Sequence, residues 1–175
     1  IVYKLKKSSD PKITDVLDRF VGIVTENSDI GSIKFEYAGA GIVVQEGDLV
    51  EVAIGINRVF YQVVNGTTDT EPLEAKNESG FIRGDAVQMG TWNEAKCCFD
   101  KFGWVPEINS LVLKAKADFT FPCIKYPDFE LGKIPSTTLP AILNLNDAVS
   151  HHVAVLGVTG AGKSFISREL IHRLI

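Results

Sequence analysis

Several common signals are missing from this chain of 175 residues, and each absence excludes something. No run of about 18 apolar residues occurs, so no transmembrane helix is expected. No secretory leader is visible, and the expected location is the cytoplasm. Cysteine is scarce, with only Cys97, Cys98 and Cys123. An odd number with one adjacent pair is no disulfide framework. No C-x-x-C occurs, and the three histidines lie far along the chain, which disfavours a structural zinc site. Reduced thiols are the expected state. The chain also lacks basic bias. Its formal net charge is −4, and residues 1–134 carry 15 basic against 20 acidic side chains. A basic nucleic-acid patch is therefore not expected in the long front segment. The chain begins at Ile1, not Met, and is expected to be part of a longer one.

What is present first is alternation. "RFVGIVTE" is a short β-rich run. "SIKFEY" puts Ile33, Phe35 and Tyr37 on one face. "DLVEVAIGI" does so with Val50, Val52, Ile54 and Ile56, and "RVFYQVV" with Val59, Tyr61 and Val63. "SLVLKAKADF" alternates through Leu111, Leu113, Ala115 and Ala117. A period of two is the mark of half-buried strands. Turn chemistry separates the runs ("NSDIG", "QEGD", "NGTTDT"). Strands at this spacing predict a small antiparallel barrel or sandwich. Gly22 and Gly55 fall inside strand patterns, where glycine marks a bulge or bend. Residues 1–14 are polar and read as an arm or edge segment.

One helix is predicted inside the β region, near 92–102. In "TWNEAKCCFDKFG", Thr91 and Glu94 form a capping box. Trp92, Ala95, Phe99 and Phe102 recur at helical spacing, and Gly103 suits the C-terminal end. Residues 122–140 hold four prolines in 19 positions, a composition typical of a domain boundary. The predicted division is 1–134 for the barrel and 135–175 for a second domain.

The second domain opens with "VAVL", Val153–Leu156, read as a strand buried on both faces. "GVTGAGKS" follows, a G-x-x-x-x-G-K-[ST] motif with Gly157, Gly162, Lys163 and Ser164 in its defining positions. Glycine is needed where backbone must wrap phosphate oxygens. The loop aims N–H groups inward, and the next helix brings its positive end to the same point. Lys163 supplies a full charge for β- and γ-phosphates, and the Ser164 hydroxyl is the expected Mg²⁺ ligand. Gly160 adds a third glycine. Hydrolysis also needs an acid from a later strand and an arginine finger. Neither is found here, and a lone strand and helix cannot cover each other. A parallel α/β core is expected to follow Ile175 in the intact chain.

The order of a barrel-like segment, a proline-rich connector and "VLGVTGAGKS" resembles the HerA-like ATPases of the HerA/FtsK group. The likeness is most specific over 131–175, where Ile142–Leu145 and Ser150–His152 match the steps that lead into the loop. The resemblance implies a small antiparallel β-barrel followed by the first β-α unit of a RecA-like α/β P-loop domain. It carries Gly157, Thr159, Gly160, Ala161, Gly162, Lys163 and Ser164 over as contacts to ATP, with Lys163 catalytic and Ser164 on Mg²⁺. His152 matches the pattern with no assigned role beyond packing. The resemblance further implies a homo-hexameric, ATP-driven translocase or helicase on double-stranded DNA. Such machines work with a nuclease or sirtuin-like effector in DNA end processing or antiviral defence. The barrel would then serve ring assembly and partner docking. Two other readings stay open: a non-motor scaffold whose barrel recruits an effector, and a different P-loop NTPase with an appended barrel.

Overall fold

The computed structural model describes residues 10–37, 43–72, 78–116, 128–135, 137 and 139–175, with the side chains of 69–81 left aside. The chain forms two compact units. One comprises Ile1–Thr120 with Pro135–Thr137, the other Phe121–Ile134 with Thr138–Ile175.

The first unit begins with helix α1 (Pro11–Arg19), capped where Asp10 Oδ1 accepts the Lys12 N–H at 2.9 Å. Seven strands follow: β1 (Phe20–Val24), β2 (Ser32–Tyr37), β3 (Leu49–Ile54), β4 (Asn57–Pro72), β5 (Glu78–Asn93), β6 (Cys98–Asp100) and β7 (Leu111–Lys114). Their hydrogen-bonded order is β2-β1-β7-β3-β4-β5-β6, and β2 also pairs with β5. That extra pairing, Ser32↔Val87 through Tyr37↔Ile82, closes six antiparallel strands into a barrel. Closure removes the edges that an open sheet would expose.

The interior is filled by Val21, Val24, Ile33, Phe35, Val50, Val52, Val59, Tyr61, Val63, Ala86 and Val112. Most are β-branched, and such side chains pack well on a pleated surface. The alternations over Ile33 and Phe35, over Val50 and Val52, and over Val59, Tyr61 and Val63 thus face inward. Two positions differ. Ile56 is fully exposed, because Gly55 and Ile56 form the two-residue turn between β3 and β4, with Gly55 at φ +60°. On β7 the inward residue is Val112, and Leu111 is 47% exposed. The register against β3, Val52↔Val112, selects the face, and local alternation could not supply it. Ala117 lies outside the described residues.

Gly22 does mark an irregularity. The β1–β7 register shifts between Phe20 and Gly22, and a Cβ on Gly22 would strike the Glu36 carbonyl.

The helix predicted near 92–102 is a β-hairpin. β5 runs on to Asn93, and β6 returns with Thr91↔Asp100, Trp92↔Phe99 and Asn93↔Cys98 paired. Asn93 Oδ1 accepts the Ala95 and Lys96 N–H groups at 3.1 Å each, which holds the turn. Cys97 takes φ +52° there, so the two cysteines sit on a turn and a strand. The apolar spacing served another purpose. Phe99 meets Trp92 edge-on at 5.2 Å and lies 5.5 Å from Phe60. This covers Phe60, which β4 turns away from the barrel interior yet which is only 2% exposed. Extension of an existing ladder plus an aromatic cluster outweighs a capping box of about 1 kcal/mol.

The second unit contains strands β8 (Phe129–Lys133) and β9 (Pro140–Leu143), paired antiparallel with a bulge between Glu130 and Gly132. The predicted division at 134/135 falls between the two strands of this hairpin. Helices α2 (Leu145–Val149) and α3 (Lys163–Leu174) follow. Asn144 caps α2 by accepting the Asp147 N–H at 3.0 Å, and Asp128 Oδ1 takes the Leu145 N–H at 2.8 Å. The strand predicted at Val153–Leu156 does not form; that segment is irregular, with Val153 53% and Leu156 88% exposed. A strand needs a neighbour for its backbone groups, and no described residue supplies one. No helix among the described residues is long and apolar enough to cross a membrane.

Candidate functional site

The candidate site is the loop between the irregular segment and α3. Its shape follows from its glycines. Gly160 and Gly162 take φ +87° and +81°, the left-handed region that glycine alone enters without cost. Nothing lies within 4 Å of where their Cβ atoms would stand, so backbone conformation and not crowding requires glycine there. Gly157 differs. A Cβ on it would come within 3.3 Å of Ala161 Cβ and 3.5 Å of Lys163 Cγ, because the loop turns back on its own start. The Ala161 N–H donates to the Val158 carbonyl at 3.2 Å and closes the turn across Thr159 and Gly160.

Gly162 is the residue before α3, and its carbonyl accepts the Phe165 and Ile166 N–H groups at 3.0 and 3.1 Å. Lys163 and Ser164 are therefore the first two helical residues, where N–H groups have no partner inside the helix. A twelve-residue helix also carries the positive end of its dipole here. Lys163 is half-buried, while Gly157, Thr159, Gly160, Ala161, Gly162 and Ser164 are all exposed. All seven residues that the sequence singled out thus lie in one continuous turn.

The Lys163 side chain folds back over the loop. Its Nζ donates to the Gly157 carbonyl at 2.7 Å and to the Val158 carbonyl at 2.6 Å. The ammonium is thereby held against the first two carbonyls of the loop. Chemically this is a glycine-bent loop with one fixed cation and a helix N-terminus, a combination suited to phosphate oxygens.

α3 is tied to the rest of its unit by a residue that sequence reading had not marked. The Arg173 guanidinium lies 4.5 Å from the centroid of the Phe129 ring on β8, and its Nε donates to Glu169 Oε1 at 2.7 Å. The i,i+4 spacing of Glu169 and Arg173 was visible in sequence; the aromatic partner 44 positions upstream was not. His152 is exposed, and the neighbouring His151 Nδ1 lies 2.8 Å from the Ser150 hydroxyl.

No curated protein matches the chain. Residues 129–175 match the family model described as helicase HerA, central domain, and the closed barrel precedes them in the chain.

Proposed function

We propose that this chain belongs to an ATP-driven DNA translocase or helicase of the HerA/FtsK group. The observation that carries the reading is the loop at Gly157–Ser164: two glycines at positive φ, a lysine at the first position of a helix, and its ammonium over the loop. The residues present fit Mg²⁺-ATP. Gly157 leaves the cradle open where a side chain would crowd it. The N–H groups of Gly160, Gly162 and Lys163 would bind the phosphates, and Thr159 and Ala161 lie on the same turn. The Lys163 ammonium would leave two carbonyls for phosphate oxygens and balance their charge. Ser164 would orient Mg²⁺ with its hydroxyl. ATP supplies the phosphoanhydride whose cleavage drives movement.

In this reading the protein acts as a homo-hexamer around double-stranded DNA in the cytoplasm. Its barrel serves ring assembly and docks an effector, a nuclease or a sirtuin-like protein, for DNA end processing or antiviral defence. The acidic balance of residues 1–134 favours protein over DNA as the barrel's partner. Lys163→Ala tests the motor: ATP turnover by the protein that carries this chain should fall by at least about 100-fold, the scale of losing one fixed charge-stabilising group. Retained turnover would end the reading.

A further inference from the structure

No residue of α3 is buried, and its apolar side chains Phe165, Ile171 and Leu174 are exposed. Among the described residues, hydrophobic burial therefore does not set the direction of this helix. Its half-buried residues are Lys163, Ser167, Glu169, Leu170 and Arg173. At about 100° per residue these share one side of the helix. Lys163 at the loop and Arg173 near the far end thus belong to the same packed side.

On that side Arg173 makes two contacts at once. Its guanidinium stands 4.5 Å from the centroid of the Phe129 ring, and its Nε donates to Glu169 Oε1 at 2.7 Å. The pair with Glu169 is internal to α3, so by itself it stabilises the helix without placing it. It does hold the guanidinium, whose flat face suits an aromatic ring. Phe129 is a firm base for that contact. It pairs with Leu143 in the β8–β9 ladder, and the carboxylate of the preceding residue, Asp128, accepts the Leu145 N–H at 2.8 Å.

The other end of α3 is the phosphate loop. Lys163 and Arg173 are about 15 Å apart along the axis, at about 1.5 Å per residue. A helix this short turns as one body, so a rotation at Arg173 is felt at Lys163 and Ser164. There Lys163 Nζ reaches the Gly157 and Val158 carbonyls, and the N–H groups of the first turn take their direction from the helix axis. We infer that Arg173 is a positioning residue of the phosphate loop. Stacked on Phe129, it sets the rotation of α3 and with it the aim of the Lys163 and Ser164 N–H groups and the Ser164 hydroxyl. It touches no ligand itself. The inference rests on the nucleotide reading proposed above.

The test is an equilibrium titration of the protein that carries this chain with a fluorescent, non-hydrolysable ATP analogue and Mg²⁺. Affinity and the number of sites are read separately. Arg173→Ala and Phe129→Leu should each raise Kd by about tenfold at an unchanged number of sites. Changed together they should raise it no further than either alone, because each acts through the other. Phe129→Tyr, which keeps the ring face, should retain the original Kd. A merely structural role gives the opposite split, with fewer sites at the original Kd. That split, an unchanged Kd in Arg173→Ala, or losses that multiply in the double variant would each overturn the inference. If Arg173→Ala does not fold, Phe129→Leu against Phe129→Tyr decides by the same two readings. The nucleotide reading fails separately, if Lys163→Ala leaves binding of the analogue unchanged. Binding that needs Lys163 and is indifferent to Arg173 ends this inference alone.

Discussion

Lys163 Nζ donates to the carbonyl oxygen of Gly157 at 2.7 Å, so the cation of the loop is held by the residue that opens it. The contact is local in sequence and needs only the loop's own backbone. Removing the ammonium should therefore leave the fold alone. Lys163→Ala is expected to abolish binding of Mg²⁺-ATP, read by a fluorescent nucleotide titration. The far-ultraviolet circular dichroism and melting temperature should match those of the unchanged chain.

Two glycine substitutions should separate the site from the scaffold. Gly162→Ala forces a left-handed residue with a Cβ, costing about 1–2 kcal/mol, and the strain falls on the loop and the start of α3. Nucleotide affinity should drop while the barrel melts normally. Gly84→Ala meets a different obstacle, since its Cβ would enter the Phe35 ring that lies across from it in the barrel wall. It should destabilise the barrel by about 1–3 kcal/mol, measured by urea unfolding.

Glu51 is the buried carboxylate of an ionic cluster on the barrel, 7% exposed in its side chain. Arg19 and Arg58 each donate to it at 2.7 Å, and Arg19 also donates to the Lys114 carbonyl at 3.0 Å. Glu51→Ala would leave the Arg19 guanidinium half-buried with fewer partners. The expected loss is about 2 kcal/mol, below the range for a fully buried pair because Arg58 is 45% exposed. A urea midpoint unchanged by the substitution would remove the cluster from the account of stability.

Acid should weaken the barrel below about pH 4. Three carboxyls are held below their ordinary values. Asp15 is held by the Lys116 ammonium and then Arg19, Asp29 by the Ser32 and Gly31 N–H groups, and Asp100 by Asn93 and then Lys96. In each case the unfolded chain takes up the proton first, near pH 3.9. The stabilisation is present above that value and is lost as pH falls through the lower folded values. Urea midpoints should hold steady from pH 7 to 5 and then decline, and Asp29→Ala should make the decline shallower.

The candidate loop was legible residue by residue because its signals are contiguous. Glycine at positive φ, lysine at the helix start and serine beside it are consequences of eight neighbouring positions. The strands with Phe35, Val52 and Tyr61 were legible for the same reason, since alternation is a local property of one strand. The stretch from Thr91 to Phe102 was misread because a capping box and a 3–4 spacing are also local, and here a distant ring overrode them.

The sequence by itself determined the β-rich front segment, the turns over 27–31 and 45–48 but not the one expected over 65–70, which runs inside β4, and the backbone freedom that the Gly157–Ser164 loop requires. Tertiary structure alone decided the rest. Pairing of β2 with β5 closed the barrel, the β3 register turned Val112 inward, and Phe60 drew Phe99 into a hairpin. The division follows from range. Dihedral preference and alternation act over a few residues, whereas ladder pairing and ring packing join positions tens of residues apart, whose register no short stretch encodes.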